Sequence, residues 1–140
     1  RLSGHHIEFD APDDLPLVYV DPLLLEQAIV NLLDNAAKYA PVGSSIRIHA
    51  RSAGSRVLLV IEDEGPGISP DELALIFDKF YRAKASDRRV AGTGLGLAVA
   101  RGFVEAFGGT LDAANRMDRS GAALTISLPR APDDVASHDS

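Results

Sequence analysis

The chain has 140 residues, 46% of them hydrophobic, with 14 Lys and Arg against 20 Asp and Glu for a net charge of -6, and it has no cysteine. This composition describes one soluble, acidic globular domain and excludes a disulfide scaffold, thiolate zinc or iron–sulfur ligation and a Cys nucleophile. No apolar run approaches the roughly 18 residues needed to cross a bilayer, the negative balance argues against nucleic acid as the main partner, and the start at Arg1 without Met reads as a piece of a longer chain.

In chain order, residues 6–10 (HIEFD) and 17–20 (LVYV) read as short strands around the turn-rich APDDLP. Asp21 is placed to cap a helix with Pro22 at its first position, where the missing N–H costs nothing. Leu25, Ala28, Ile29, Leu32, Leu33 and Ala36 recur at helical spacing and form its core-facing stripe. SIRIHARS and RVLLVIED follow as two strands joined around Ala53-Gly54. Ser69-Pro70-Asp71-Glu72 is a capping-box pattern that predicts a short helix to about Phe77. Residues 82–91 are basic and aperiodic and read as a mobile loop. A second long helix is expected from about Leu95 to Phe107, closed by Gly108-Gly109. TLDAANR and ALTISLP then form a hairpin turning near Ser120-Gly121. The domain is expected to span residues 1–130, with 131–140 a disordered tail. Tight turns between interleaved strands and helices predict an α+β two-layer sandwich: a mixed, mostly antiparallel sheet with helices on one face.

Four clusters could carry chemistry. Asn31, Asn35 and Lys38 stand at i, i+4, i+7 and so share one row of the first helix. Amide oxygens suit Mg²⁺ and Lys suits a phosphate; an ordinary solvated helix face is the competing account. Asp63-Glu64-Gly65-Pro66-Gly67-Ile68 follows a buried strand. Its glycines let backbone approach a planar ligand, and Asp63 is placed to accept from an exocyclic amine such as that of adenine; a purely structural turn is the alternative. Gly92-Thr93-Gly94-Leu95-Gly96-Leu97 exposes backbone N–H groups at a helix start, where phosphate is attracted; a glycine hinge competes. Phe77-Asp78-Lys79-Phe80-Tyr81-Arg82 with the basic stretch behind it describes a lid that adds charge over a polyphosphate, Phe80 and Arg82 being its candidate site residues, or else a solvated charge run. Neither a Walker A loop nor the dinucleotide fingerprint fits the glycines.

Taken together and in this order, the series N-x-x-x-N-x-x-K-Y, D-E-G-P-G, F-D-K-F-Y-R and G-T-G-L-G-L resembles the N, G1, F and G2 boxes of the catalytic ATP-binding domain of bacterial sensor histidine kinases. These belong to the Bergerat-type ATPase superfamily, shared with gyrase, Hsp90 and MutL. The resemblance runs from about His6 to Pro129, and its finer wording is most similar to the sensor kinases of potassium-responsive two-component systems. It implies ATP and Mg²⁺ as cofactors. Asp63 would bind the adenine amino group, Gly65, Gly67 and Ile68 would shape the base pocket, and Tyr39 would pack beside the base. Asn31 and Asn35 would hold Mg²⁺, Lys38 would contact the phosphates and the backbone of Thr93 to Leu97 would cradle them. Thr125 would lie beneath the base as a water-mediated contact.

In the hydrolysing relatives a Glu stands four residues before the Mg²⁺-binding Asn; here that position is Asn31. An amide cannot act as a base at neutral pH, so transfer to another protein group is favoured over hydrolysis. His5, His6, His49 and His138 all lack the helical context of a phospho-acceptor. The implied partners are therefore a dimerisation and phosphotransfer domain of the same parent and a cognate response regulator. The implied setting is a cytoplasmic domain of a parent anchored in the inner membrane. A serine kinase of the anti-sigma type and a nucleotide-sensing module without chemistry are the other readings.

Overall fold

In a computed structural model of the chain, residues 4–73, 75–78 and 96–131 are described. Within them five strands form one sheet: β1 (His6–Asp10), β2 (Ser45–Ala53), β3 (Arg56–Glu62), β4 (Thr110–Asn115) and β5 (Ala122–Pro129), in the order β1-β2-β3-β5-β4. Only β1 and β2 run parallel; the other pairs are antiparallel. Three helices accompany them: α1 (Pro22–Tyr39), the short α2 (Pro70–Leu73) and α3 (Gly96–Ala106). This is the expected α+β sandwich.

Side chains alternate across each strand, so register fixes which residues face the helices. Ile61 pairs with Leu124, and Ile126 pairs with Leu111; all four are buried in one cluster with Ala28, Leu32 and Ala36 of α1 and Ala100 and Val104 of α3. Small alanines on the facing stripes let α1 and α3 pack closely over the sheet. The opposite face carries a charged cluster: Arg47 of β2 lies 3.7 Å and His49 3.4 Å from the Glu62 carboxylate of β3.

The first helix starts where its cap chemistry dictates. Asp21 Oδ1 accepts from the N–H groups of Leu23 (3.0 Å) and Leu24 (3.2 Å), satisfying two donors that have no partner within the helix. At its other end Lys38 sits in the last turn, where the helix dipole favours a cation. The helix α3 stops at Gly108, whose φ of +89° reverses the chain, and Gly109 N–H returns to the Val104 carbonyl at 3.0 Å.

Two expectations are corrected. Residues 17–20 do not form a strand but make one antiparallel bridge, Val18 with Arg130. Both edges of β5 are already taken, by β3 and β4, so this segment reaches only the end of β5: Tyr19 N–H bonds the Pro129 carbonyl and Ala131 N–H bonds the Leu17 carbonyl, each at 2.8 Å. For the same reason Ala131, assigned to the tail, is buried and hydrogen-bonded. The remainder of the tail, the loop at 82–91 and Leu95 lie outside the described residues, and the helix expected to run to Phe77 is recorded as the single turn of α2.

Asp21→Ala leaves two helix-start N–H groups to water. It is expected to lower stability by about 1 kcal/mol, read as an earlier urea midpoint at unchanged slope; an unaltered midpoint would show the cap to be idle.

Candidate functional site

Asp63 is a buried charged residue, 8% exposed. It follows β3 directly. The register continues one step past Glu62 and Ala123, so Asp63 N–H bonds the Ala122 carbonyl at 3.0 Å and the Asp63 side chain turns to the helix-covered face, as Ile61 does. Its Oδ1 accepts from the N–H of Gly65 (2.9 Å) and of Ala122 (3.1 Å). Among the described residues every hydrogen bond to this carboxylate falls on Oδ1, which leaves Oδ2 as an acceptor for a ligand. Burial pushes the Asp63 carboxyl above its ordinary value, against the opposing pull of the Gly65 and Ala122 N–H groups and the Arg116 charge.

The loop after Asp63 has little room. A Cβ on Gly65 would come within 3.0 Å of the Tyr39 carbonyl and 3.2 Å of Asp63 Oδ1. The C-terminal end of α1 and the loop therefore meet backbone to backbone. Gly67 has a φ of +85°, a conformation that side chains rarely tolerate.

What holds this loop is the turn between β4 and β5. Asn115 accepts from the Ile68 N–H (Oδ1, 2.6 Å) and donates to the Ile68 carbonyl (Nδ2, 2.7 Å). Ser120 Oγ donates to the Gly65 carbonyl at 2.8 Å. Arg116 Nη1 donates to the Asp63 carbonyl at 3.2 Å, while its other nitrogens grip Asp118 at 2.8 and 3.0 Å. Gly121 packs so tightly that a Cβ there would collide with the Asp63 carbonyl. Sequence reasoning assigned none of Asn115, Arg116, Ser120 or Ala122 to the site. The local signal was only a turn at Ser120-Gly121.

The expected site residues divide as follows. Asp63, Gly65, Gly67 and Ile68 form one loop, and Tyr39 reaches it through its backbone carbonyl. Asn31, Asn35 and Lys38 line one row of α1 and are all partly buried; Lys38 Nζ lies 3.9 Å from Asp34 of the preceding turn. Gly96 and Leu97 open α3. Thr125 does not join them: it pairs with Val60 and Asp112 between the core-facing Leu124 and Ile126, so the alternation places it on the opposite face from Asp63. Its counterpart on the Asp63 face is Ala122. Phe80, Arg82, Gly92, Thr93, Gly94 and Leu95 lie outside the described residues.

For a divalent ion the donor set is telling. No group of three His, Cys, Asp or Glu side chains able to hold a metal occurs among the described residues. Two amide oxygens from Asn31 and Asn35 are hard donors suited to Mg²⁺, but too few to hold it without further oxygens. They fit an ion that arrives with phosphates attached.

Comparison with known proteins gives the same outline. The family described as "Histidine kinase-, DNA gyrase B-, and HSP90-like ATPase" matches residues 20–132. The chain belongs to this family. The Clostridium acetobutylicum sensor protein KdpD is 44% identical over 131 residues, covering 92% of this chain and 14% of that protein. The histidine-protein kinase/phosphatase MprB of Mycobacterium ulcerans is 42% identical over 136 residues, covering 94% and 26%. The full-length ShkA structure in complex with AMPPNP superposes with a TM-score of 0.76 at 29% identity over 91% of this chain and 26% of that one. The chain thus spans about a quarter or less of the length of these relatives and corresponds to the catalytic ATPase domain of sensor histidine kinases.

A raised carboxyl favours the folded state below its unfolded value of 3.8, and that contribution disappears as pH climbs through the raised value; at neutral pH the buried Asp63 carboxylate is a net cost. Asp63→Asn keeps an acceptor for Gly65 and Ala122 without the charge. We expect its ligand-free Tm at pH 7 to exceed that of the unsubstituted protein, with the gap narrowing as pH falls toward 4. A Tm below the parent's at pH 7 would contradict this account of the burial.

Proposed function

We propose that this ATPase domain binds ATP with Mg²⁺ and delivers the γ-phosphoryl group to a histidine on a dimerisation and phosphotransfer domain of its own parent, from which a response regulator takes it onto an aspartate. The observation that carries the proposal is Asp63: a buried carboxylate with one oxygen saturated by backbone N–H groups and the other left to accept. An adenine 6-amino group supplies the matching donor, and guanine, with a carbonyl there, does not. Gly65 lets the loop close against the Tyr39 carbonyl and Asp63, and Ile68 offers an apolar shelf for the flat base.

In this reading Asn31 and Asn35 present amide oxygens to Mg²⁺, Lys38 adds a cation to the phosphates, and the start of α3 from Gly96 contributes the positive end of its dipole. Mg²⁺ supplies charge neutralisation on the phosphates when bound. Positioning and neutralisation do most of the work of phosphoryl transfer, and the protein forms no covalent bond of its own in this domain. The histidines support an acceptor elsewhere: His6 lies in β1, His49 in β2 beside Glu62, and His5 Nε2 faces the Ala40 carbonyl at 3.2 Å. His138 lies outside the described residues.

The similarity to KdpD supports a potassium-responsive system with a KdpE-like regulator, and the near-equal identity to MprB makes this the finer part of the proposal. No helix among the described residues is long and apolar enough to cross a membrane, which is compatible with a cytoplasmic domain of a parent anchored in the inner membrane.

Incubating the chain with its dimerisation domain, γ-labelled ATP and Mg²⁺ should produce acid-labile phosphohistidine on that domain. Acid-stable label would instead indicate a serine acceptor, and ATP binding without transfer in the full-length parent would indicate a sensing module. Asp63→Asn should weaken ATP by about ten- to 150-fold, the worth of a hydrogen bond to a charged group at about 1.5–3 kcal/mol; unchanged affinity would remove Asp63 from the site.

A further inference from the structure

We propose that Asn115 is a positioning residue that sets the domain's preference for adenine over guanine, by clamping the main chain of the loop that carries the base site. The inference rests on the nucleotide reading of Asp63 given above and adds to it a residue 52 positions away in sequence.

The side-chain amide of Asn115 occupies both main-chain groups of Ile68, accepting from the N–H at 2.6 Å and donating to the carbonyl at 2.7 Å. No other natural side chain of this length has a donor and an acceptor side by side on one planar end. The paired bonds fix the Ile68 peptide in both position and orientation. Neither main-chain group has a partner in a helix or strand, since Ile68 lies between β3 and α2. Clamp and loop also touch at Gly67: a Cβ there would come within 2.7 Å of Asn115 Oδ1, the nearest obstacle it would meet.

The clamp acts on the site through four residues of loop. Asp63 Oδ1 is tied to the Gly65 N–H, the Gly65 carbonyl to Ser120, and Ile68 to Asn115. Ser120 and Asn115 both flank the same β4–β5 turn, whose Arg116 holds the Asp63 carbonyl from behind. The loop is thus suspended between β3 and that turn, with Asn115 as its far anchor. Releasing the anchor frees the apolar shelf of Ile68 and the Gly65 N–H that orients the carboxylate. Groups assigned to the phosphates, on α1 and α3, make none of these bonds. A base recognised by Asp63 therefore loses affinity when the clamp is cut, whereas binding through the triphosphate alone is spared.

The test is a calorimetric titration of the 140-residue chain with Mg·ATP and with Mg·GTP. Asn115→Ala should weaken ATP about tenfold, as expected for two neutral hydrogen bonds, and leave GTP within about twofold, so that the ATP-to-GTP preference falls about tenfold. A residue that merely supported the fold would lower both nucleotides together, and an unchanged preference would overturn the proposal. A double-mutant cycle supplies an independent readout. Gly67→Ala should cost ATP affinity on the parent background and clearly less on the Asn115→Ala background, where the obstructing amide is gone; the strain of its φ is common to both and cancels. Additive costs would also overturn the clamp. If Asn115→Ala melts near the titration temperature, Asn115→Asp carries the ATP-against-GTP comparison, since it keeps the acceptor for the Ile68 N–H and at neutral pH loses the donor to the Ile68 carbonyl. Asp63→Asn, titrated in parallel, separates the two levels: parental ATP affinity in that variant rejects the nucleotide site itself, whereas loss there with a parental Asn115→Ala rejects only the clamp.

Discussion

A carboxylate taken out of water must be compensated where it lies or it will be protonated, and the end of the central strand is built around that requirement at Asp63. The Gly65 and Ala122 N–H groups meet Oδ1, and the Arg116 guanidinium lies behind the residue on its carbonyl. These donors lower the cost of the charge without cancelling it, since burial still dominates and the carboxyl is raised. A group held in this way is poised to gain from one more donor on its remaining oxygen. In the proposed function, the burial that raises this carboxyl is also what a ligand amine on the remaining oxygen would offset.

The period-two alternation of a strand puts adjacent carboxylates to opposite uses. Glu62 points to the rear of the sheet, where Arg47, His49 and Arg116 lie 3.4–3.9 Å from its carboxylate and Arg47 reaches on to Asp10 of the edge strand. Asp63 points to the front. Arg116 serves both: one face of its guanidinium joins the rear network and Nη1 bonds the Asp63 carbonyl. Its side chain is only 7% exposed, so a cation is buried beside two acidic residues rather than free to solvate. A groove of about 530 Å³ lined by Glu8, Asp10, Arg47, Glu64, Arg116 and Arg119 adjoins this network.

The parts of the fold that could be read from the sequence were those with local causes. Asp21-Pro22 starts a helix by capping and by the geometry of proline, the Leu25 to Ala36 stripe identifies its buried side, and Gly108-Gly109 ends α3; each depends on residues within a turn or two. Asp63 and its glycines were legible because a carboxylate and two glycines one residue apart directly follow the buried strand VLLVIE. What failed was long-range. Residues 17–20 have strand-like composition, but whether they pair depends on β5 having a free edge. Thr125 has the right chemistry for a water-mediated contact, and the alternation of Leu124, Ile126 and Leu128 already turns it away from the helices; what only the pairing of β3 with β5 reveals is that Asp63 lies on the other face. Asn115 and Ser120 look like ordinary turn residues, and their partners lie 47 and 55 positions away.

The amide at position 31 bears on which acceptor such a site can serve. Water and a serine hydroxyl are poor nucleophiles at neutral pH unless a base removes their proton, and the row Asn31, Asn35, Lys38 offers two amides and a cation but no base. A histidine side chain is different. With an ordinary pKa near 6.5, much of the imidazole is neutral at pH 7 and already carries a lone pair on nitrogen, so it can attack phosphorus without prior deprotonation. A helix face that binds phosphate and metal yet leaves proton removal to others is chemically incomplete toward water and sufficient toward imidazole. In the proposed function, that asymmetry would spare a bound triphosphate from solvent while no acceptor is docked, leaving control of the reaction to whatever brings the histidine within reach.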